Sequence, residues 1–126
     1  MITEKILSCM IEIITERVLT PVVYMFEEEI IELIVFCDGN MDVNILRDTE
    51  NEIYARTGTK TELVDIREFD EFDRWQIVQN AELIYAMDDT VLAAFERAMQ
   101  RDVEFRAISK AMLFERRKDT GSYYLM

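Results

Sequence analysis

The sequence contains no histidine in 126 residues. That excludes Ser-His-Asp triads, Cys-His pairs and the usual zinc ligands. Any chemistry would have to run on carboxylates, with a hard cation such as magnesium. Glycine occurs three times and proline once, which argues against a loop-rich fold and for long regular elements joined by short connections. The two cysteines, Cys9 and Cys37, sit inside apolar runs. They read as small buried hydrophobes, not as a disulfide or a redox pair. No apolar run approaches the roughly 20 residues needed to span a bilayer, and no basic-then-apolar signal segment opens the chain. The expectation is a cytoplasmic protein with no membrane association.

What is present suits one folded domain over residues 1–126, with a core at about 4–87 and a helical C-terminal extension at about 89–118. The chain is long enough to bury a real core. Its net charge is −12, unevenly spread: residues 1–89 hold 7 basic and 21 acidic side chains, residues 90–126 hold 7 and 5. So acidic a body repels phosphates and argues against direct nucleic-acid binding. It suits a basic protein partner, although solubility alone would also account for it.

Residues Thr3 to Val18 carry Ile6, Leu7, Met10, Ile13, Ile14 and Val18 at spacings of three and four, one broad helical stripe. Pro21 closes the connection. Val22–Phe26 and Ile30–Cys37 read as strands, the second nearly continuous in apolar character, as when both faces are covered. The Glu27-Glu28-Glu29 break is too short for a crossover helix, so the two pair antiparallel. Asp38-Gly39-Asn40 is a turn signature. A helix follows from Met41 to Thr57, with Asp42 as N-cap, Gly58 as its C-terminal glycine, an apolar face of Val43, Leu46 and Ile53, and Glu50, Asn51 and Glu52 toward water.

The stretch Thr59 to Asp89 then reads as strand (Thr61–Ile66), helix (Glu71–Asn80) and short edge strand (Leu83–Met87), a unit of βαβ size. Asp88-Asp89-Thr90 caps a long final helix to about Lys118, with Val91, Leu92, Phe95, Met99, Val103 and Met112 as its stripe and Arg116, Arg117 and Lys118 at its negative end. At 1.5 Å per residue it extends about 40 Å, farther than a small sheet, unless it breaks near Arg101-Asp102. Tyr123-Tyr124-Leu125-Met126 is an apolar tail that would dock on this chain or on a neighbour. The fold class is α/β, a small mixed sheet of three or four strands flanked by helices.

Three features in this order carry a resemblance: VVYMF leading to the strand IELIVF; Ala55-Arg56-Thr57-Gly58 before Lys60-Thr61-Glu62-Leu63-Val64-Asp65-Ile66; and Ile77-Val78-Gln79-Asn80-Ala81-Glu82-Leu83-Ile84-Tyr85. Together they resemble the minimal nucleotidyltransferase (MNT, polymerase-β-like) family over residues 4–118. That family includes antitoxin partners of HEPN-type ribonuclease toxins. The resemblance implies a strand ending in Gly-Ser, a loop of about ten residues, an Asp-x-Asp strand and a third strand carboxylate. Carboxylates so placed hold magnesium against a nucleoside triphosphate, and the Gly-Ser turn admits phosphates to backbone amides.

This chain departs from that pattern. Glu27-Glu28 stands where Gly-Ser is implied, the loop is missing, and Asp-x-Asp reads Ile30-Ile31-Glu32. Glu62 occupies the third position. Period-two geometry puts Glu32 with Ile30, Ile34 and Phe36, and Glu62 with Lys60, Val64 and Ile66. If the two faces coincide the carboxylates approach one another as vestigial catalytic or magnesium-binding residues. Otherwise Glu32 sits in water near a strand end and Glu62 pairs with Lys60. The reading is of a protein without cofactor that works by binding, as an antitoxin-like partner of a HEPN-type toxin. Two alternatives stand beside it: an active adenylyl transferase using Mg and ATP through Glu32 and Glu62, and a structural homodimer. Phe95, Met99, Val103, Tyr123 and Tyr124 are the candidate interface residues.

Overall fold

A computed structural model describes residues 2–37, 39 and 42–120, with side chains as far as 109 and at 111 and 112. In chain order the elements are α1 (Glu4–Arg17), β1 (Val22–Glu27), β2 (Ile31–Val35), α2 (Val43–Thr57), β3 (Thr61–Asp65), α3 (Glu71–Asn80), β4 (Glu82–Ala86) and α4 (Asp89–Thr120), with one 3-10 turn at Ile66–Glu68. The strand order is β3-β2-β1-β4. β1 pairs antiparallel with both β2 and β4, and β2 pairs parallel with β3. The sheet is therefore mixed, as expected. No helix among the described residues is long and apolar enough to cross a membrane.

The pleat sorts side chains into two cores. On one face Val23, Met25, Leu33, Val35 and Leu63 meet Met10, Ile13 and Ile14 from α1, Val18 just after it, and Leu46 and Ile53 from α2. On the other Val22, Tyr24 and Ile34 meet Ile66, Ile77 of α3, and Phe95 and Met99 of α4. Burying each of these large aliphatic side chains contributes about 1.5–3 kcal/mol. Both faces of β2 are covered, which is why its sequence shows little polar alternation. Thr20 is buried beside the sheet; its hydroxyl donates to Val22 O and accepts from Phe36 N at 2.9 Å.

Caps fix most helix ends. Thr3 accepts from Ile6 N, Asp42 from Asn44 N, Asp70 from Asp73 N and Asp88 from Val91 N. Gly58 ends α2 at φ 71°, a left-handed conformation that a Cβ would strain. α4 is one unbroken helix. Cys9 and Cys37 are free thiols, Cys37 fully buried.

Four expectations need correction. The stretch from β3 to β4 is not a simple βαβ unit: the two strands occupy opposite edges, with β2 and β1 between them. Ile66 leaves β3 and begins the 3-10 turn, where Asp65 caps Arg67 N. Val43 is 60% exposed and so is no part of the buried face of α2, which Leu46 and Ile53 supply. Glu50 does not face water; its carboxylate accepts from Leu63 N at 2.6 Å. Residues 121–126, with Tyr123 and Tyr124, lie outside the described residues, as do Asp38 and Asn40 of the expected turn and the side chains of Arg116, Arg117 and Lys118.

Candidate functional site

Glu32 is the second residue of β2 and Glu62 the second of β3. Parallel pairing makes them direct partners, and antiparallel pairing sets Phe26 across from Glu32 on the other side. The two faces do coincide: the register brings the carboxylates together on the face that carries α3 and α4. Burial pushes the Glu32 carboxyl above its ordinary range, and the charges of Glu62 and Glu28 push it further. Among the described residues no ion pair joins Glu62 to Lys60.

The link from β1 to β2 is Glu28-Glu29-Ile30, three bends with every residue exposed. Among the described residues the only positive φ angles belong to Gly39 and Gly58, so this link forms no left-handed turn that would aim successive amides at an anion. Glu27 is committed elsewhere, its carboxylate accepting from Ile2 N. A triphosphate approaching Glu32 and Glu62 would meet the negative charge of Glu28 as well as that of the pair. The residues present do not fit a magnesium–nucleotide complex of the kind the resemblance implies. Among the described residues no three metal-capable side chains cluster.

Beside Glu62 an open groove of about 430 Å³ runs between α2 and the β3 edge, lined by Ile30, Arg47, Tyr54, Lys60 and Thr61 among others. Of its two cations, Lys60 and Arg47, Arg47 is engaged, donating to Leu63 O at 2.7 Å and pairing with Glu50 at 3.1 Å. Glu50 and Arg47 thus take up both the N–H and the C=O of Leu63 on an edge strand, sealing the place where another chain could add. Sequence reasoning missed this pair. The signal was there: Glu50 follows Leu46 by four residues and precedes Ile53 by three, on the inward face of α2.

A second polar cluster lies at the other end of β3. Asp65 is 7% exposed and accepts from Arg67 Nε at 3.0 Å and Nη2 at 2.7 Å, with Arg67 N donating at 2.9 Å. Burial alone would raise Asp65; the Arg67 hydrogen bonds and charge outweigh it and hold the carboxyl below its ordinary value. Burial, with Asp65 adding to it, pushes the Cys37 thiol up to about 12.

Of the expected interface residues, Phe95 and Met99 are taken up by the core, 7% and 6% exposed. Phe95 packs edge-on against Phe36 at 5.2 Å and tilted against Tyr24 at 6.1 Å. They are unavailable to a partner, because the sheet uses that side of α4. Val103 is half-buried. The apolar surface that stands open on α4 is Phe105, Ile108 and Met112, at 71%, 59% and 67% exposure. Arg106 ties this region to α3, pairing with Glu71 and lying 5.4 Å from the Phe72 ring centre.

No family model matches the sequence, and no curated protein matches it. Solved structures do. The chain is similar to a chain of the MntA–HepT toxin–antitoxin complex at TM-score 0.65 and 12% identity, covering 98% of this chain and 100% of that one. It is similar to a chain of a toxin–antitoxin crystallised with AMP-PNP (0.68, 11%; 86% and 95%). It is also similar to a chain of the complex between tri-AMPylated Shewanella oneidensis HEPN toxin and MNT antitoxin (0.61, 16%; 89% and 96%). At these identities the likeness is one of fold. The protein has a nucleotidyltransferase-like α/β fold, shared with these chains of toxin–antitoxin complexes.

Proposed function

We propose that this chain is a catalytically degenerate nucleotidyltransferase-fold protein of the cytoplasm, acting by protein binding as the antitoxin-like partner of a HEPN-type ribonuclease. The observation that carries the reading is the three-residue acidic link between β1 and β2. Two neighbouring carboxylates without a phosphate cradle can polarise little, since the metal would lack the triphosphate oxygens that complete its shell. The fold likeness to chains of toxin–antitoxin complexes supports the kind of partner. The acidic body suits a basic one. Inhibition would then be by masking.

Co-expression with a HEPN-type toxin encoded beside this chain tests the proposal. The expected result is rescue of growth and a stable complex, with the toxin's mass unchanged. Rescue should survive Glu32→Gln/Glu62→Gln. A toxin carrying added adenylyl groups would overturn the degenerate half of the proposal, and absence of any complex would overturn the partner.

A second reading, self-association, is favoured by the open apolar residues Phe105, Ile108 and Met112 on α4.

A further inference from the structure

α4 carries two seams. One, with Phe95 and Met99, meets the sheet. The other is Val91, Ala94, Ala98, Arg101, Phe105, Ile108 and Met112, spaced alternately three and four residues apart. That is the heptad spacing of a helix that packs along another helix. Every member is half-buried or exposed, and Ala98, at the border of the two seams, also packs against the sheet-side core. The seam is graded: small side chains toward the start of α4, bulky ones toward its end. Near its start, Leu19 (81% exposed), Pro21, Met87 (61%) and Val91 line a groove of about 590 Å³ with mainly apolar walls.

We propose that this seam pairs with the same seam of a second copy, antiparallel about a two-fold axis between Ala98 and Arg101. The inference rests on the self-association reading and gives it a geometry. Phe105 then lies on Ala94 of the second copy and Ile108 on Val91 of the second copy. Met112 enters the Leu19–Met87 groove of the second copy. Each bulky side chain meets a small one or a hollow, and both halves of the seam are satisfied at once.

A parallel pair fails on the same residues. It would set Arg101 against Arg101 and Phe105 against Phe105, and leave the alanine layers unfilled. Charge agrees with the antiparallel choice. The start of α4 carries Asp88 and Asp89, and the sequence toward its end carries Arg116, Arg117 and Lys118; only antiparallel helices bring these ends together. The same register sets Arg97 beside Glu104 of the second copy. The contact is isologous, so it closes at two copies and does not propagate. It also supplies tertiary support to the distal half of α4, since an isolated helix shorter than about 12–15 residues is marginal in water.

The test is the mass of the full chain in solution by sedimentation equilibrium, with variants. The expected mass is twice the 14.9 kDa chain. Ala94→Glu and Phe105→Glu should each weaken the dimer at least tenfold while keeping the circular dichroism of the parent. Ala93→Glu, exposed but off the seam, should not. In a Cys9→Ser background, Ala94→Cys and Phe105→Cys proteins should form a disulfide dimer when mixed and none separately. A monomer at high micromolar concentration would overturn both self-association and the pairing. A dimer that resists both glutamate variants, or that cross-links 94 to 94 and 105 to 105, would overturn the pairing and leave self-association standing.

Discussion

Arg67 gives its guanidinium to Asp65 and also donates to Gly39 O, so one side chain joins the end of β3 to the segment before α2. Removing it leaves a buried carboxylate without its charge partner. Arg67→Ala should cost about 1–3 kcal/mol at pH 7, measured by chemical denaturation. Arg67's own exposure keeps the loss below the roughly 3–5 kcal/mol of a fully buried pair. The pH dependence has a definite sign. Because the folded pKa of Asp65 lies below its ordinary value of 3.8, its stabilisation is full above that value and is lost as pH falls through the lower folded one. The gap between parent and Arg67→Ala should therefore close in strong acid.

Glu32 works the other way. Its raised pKa means the charged form is disfavoured in the fold, so Glu32→Gln should stabilise the protein at pH 7 by about 0.5 kcal/mol, as expected for relieving like charges directly opposed across strands. That gain should vanish once acid has protonated Glu32 in the parent. Loss of stability at pH 7 would contradict the placement beside Glu62. Tyr24 offers a third check at this scale. Burial, aided by Glu96, pushes its hydroxyl up to about 12, and the buried oxygen has no hydrogen-bond partner among the described residues. Tyr24→Phe should be neutral or stabilising by up to about 1 kcal/mol in the same denaturation experiment.

At the scale of elements, α2 guards one edge of the sheet through Glu50 and Arg47. Glu50→Ala should cost about 1–2 kcal/mol, because it leaves the Leu63 N–H without its acceptor. Amide exchange at Leu63 should accelerate with it. The helices and strands were legible in the sequence because their periods differ and their caps are local: α3, the Asp42 cap of α2, the β1–β2 hairpin, and Gly58 all lie where spacing puts them. Strand order was not legible, since nothing in Thr61–Asp65 or Glu82–Ala86 says which neighbour each strand will find. The sequence reading of α4 joined residues from both its seams into one stripe. Apolar spacing shows that a face exists, but only the sheet decides that Phe95 and Met99 point inward and Phe105, Ile108 and Met112 do not.

For the molecule as a whole, the pairing of the two candidate carboxylates was legible in part. Glu32 and Glu62 were picked out by the family resemblance, the period-two pattern gave only their faces, and their adjacency required the register of two parallel strands. The Asp65–Arg67–Cys37 cluster was not, because it depends on where β3 ends relative to β2. Calorimetry with ATP and magnesium should give no heat at millimolar nucleotide; metal-dependent binding displaced by Glu62→Gln would restore the transferase alternative.

The brevity of the connection between Glu27 and Ile31 has a practical result. Register on either side of it is held by the ladder and not by the bend, and the bend itself is open to water. Inserting ten flexible residues there should cost only about 1 kcal/mol in closure entropy. The hairpin tip is thus a natural port for grafting a reporter peptide or a transplanted Gly-Ser segment without disturbing the rest of the architecture.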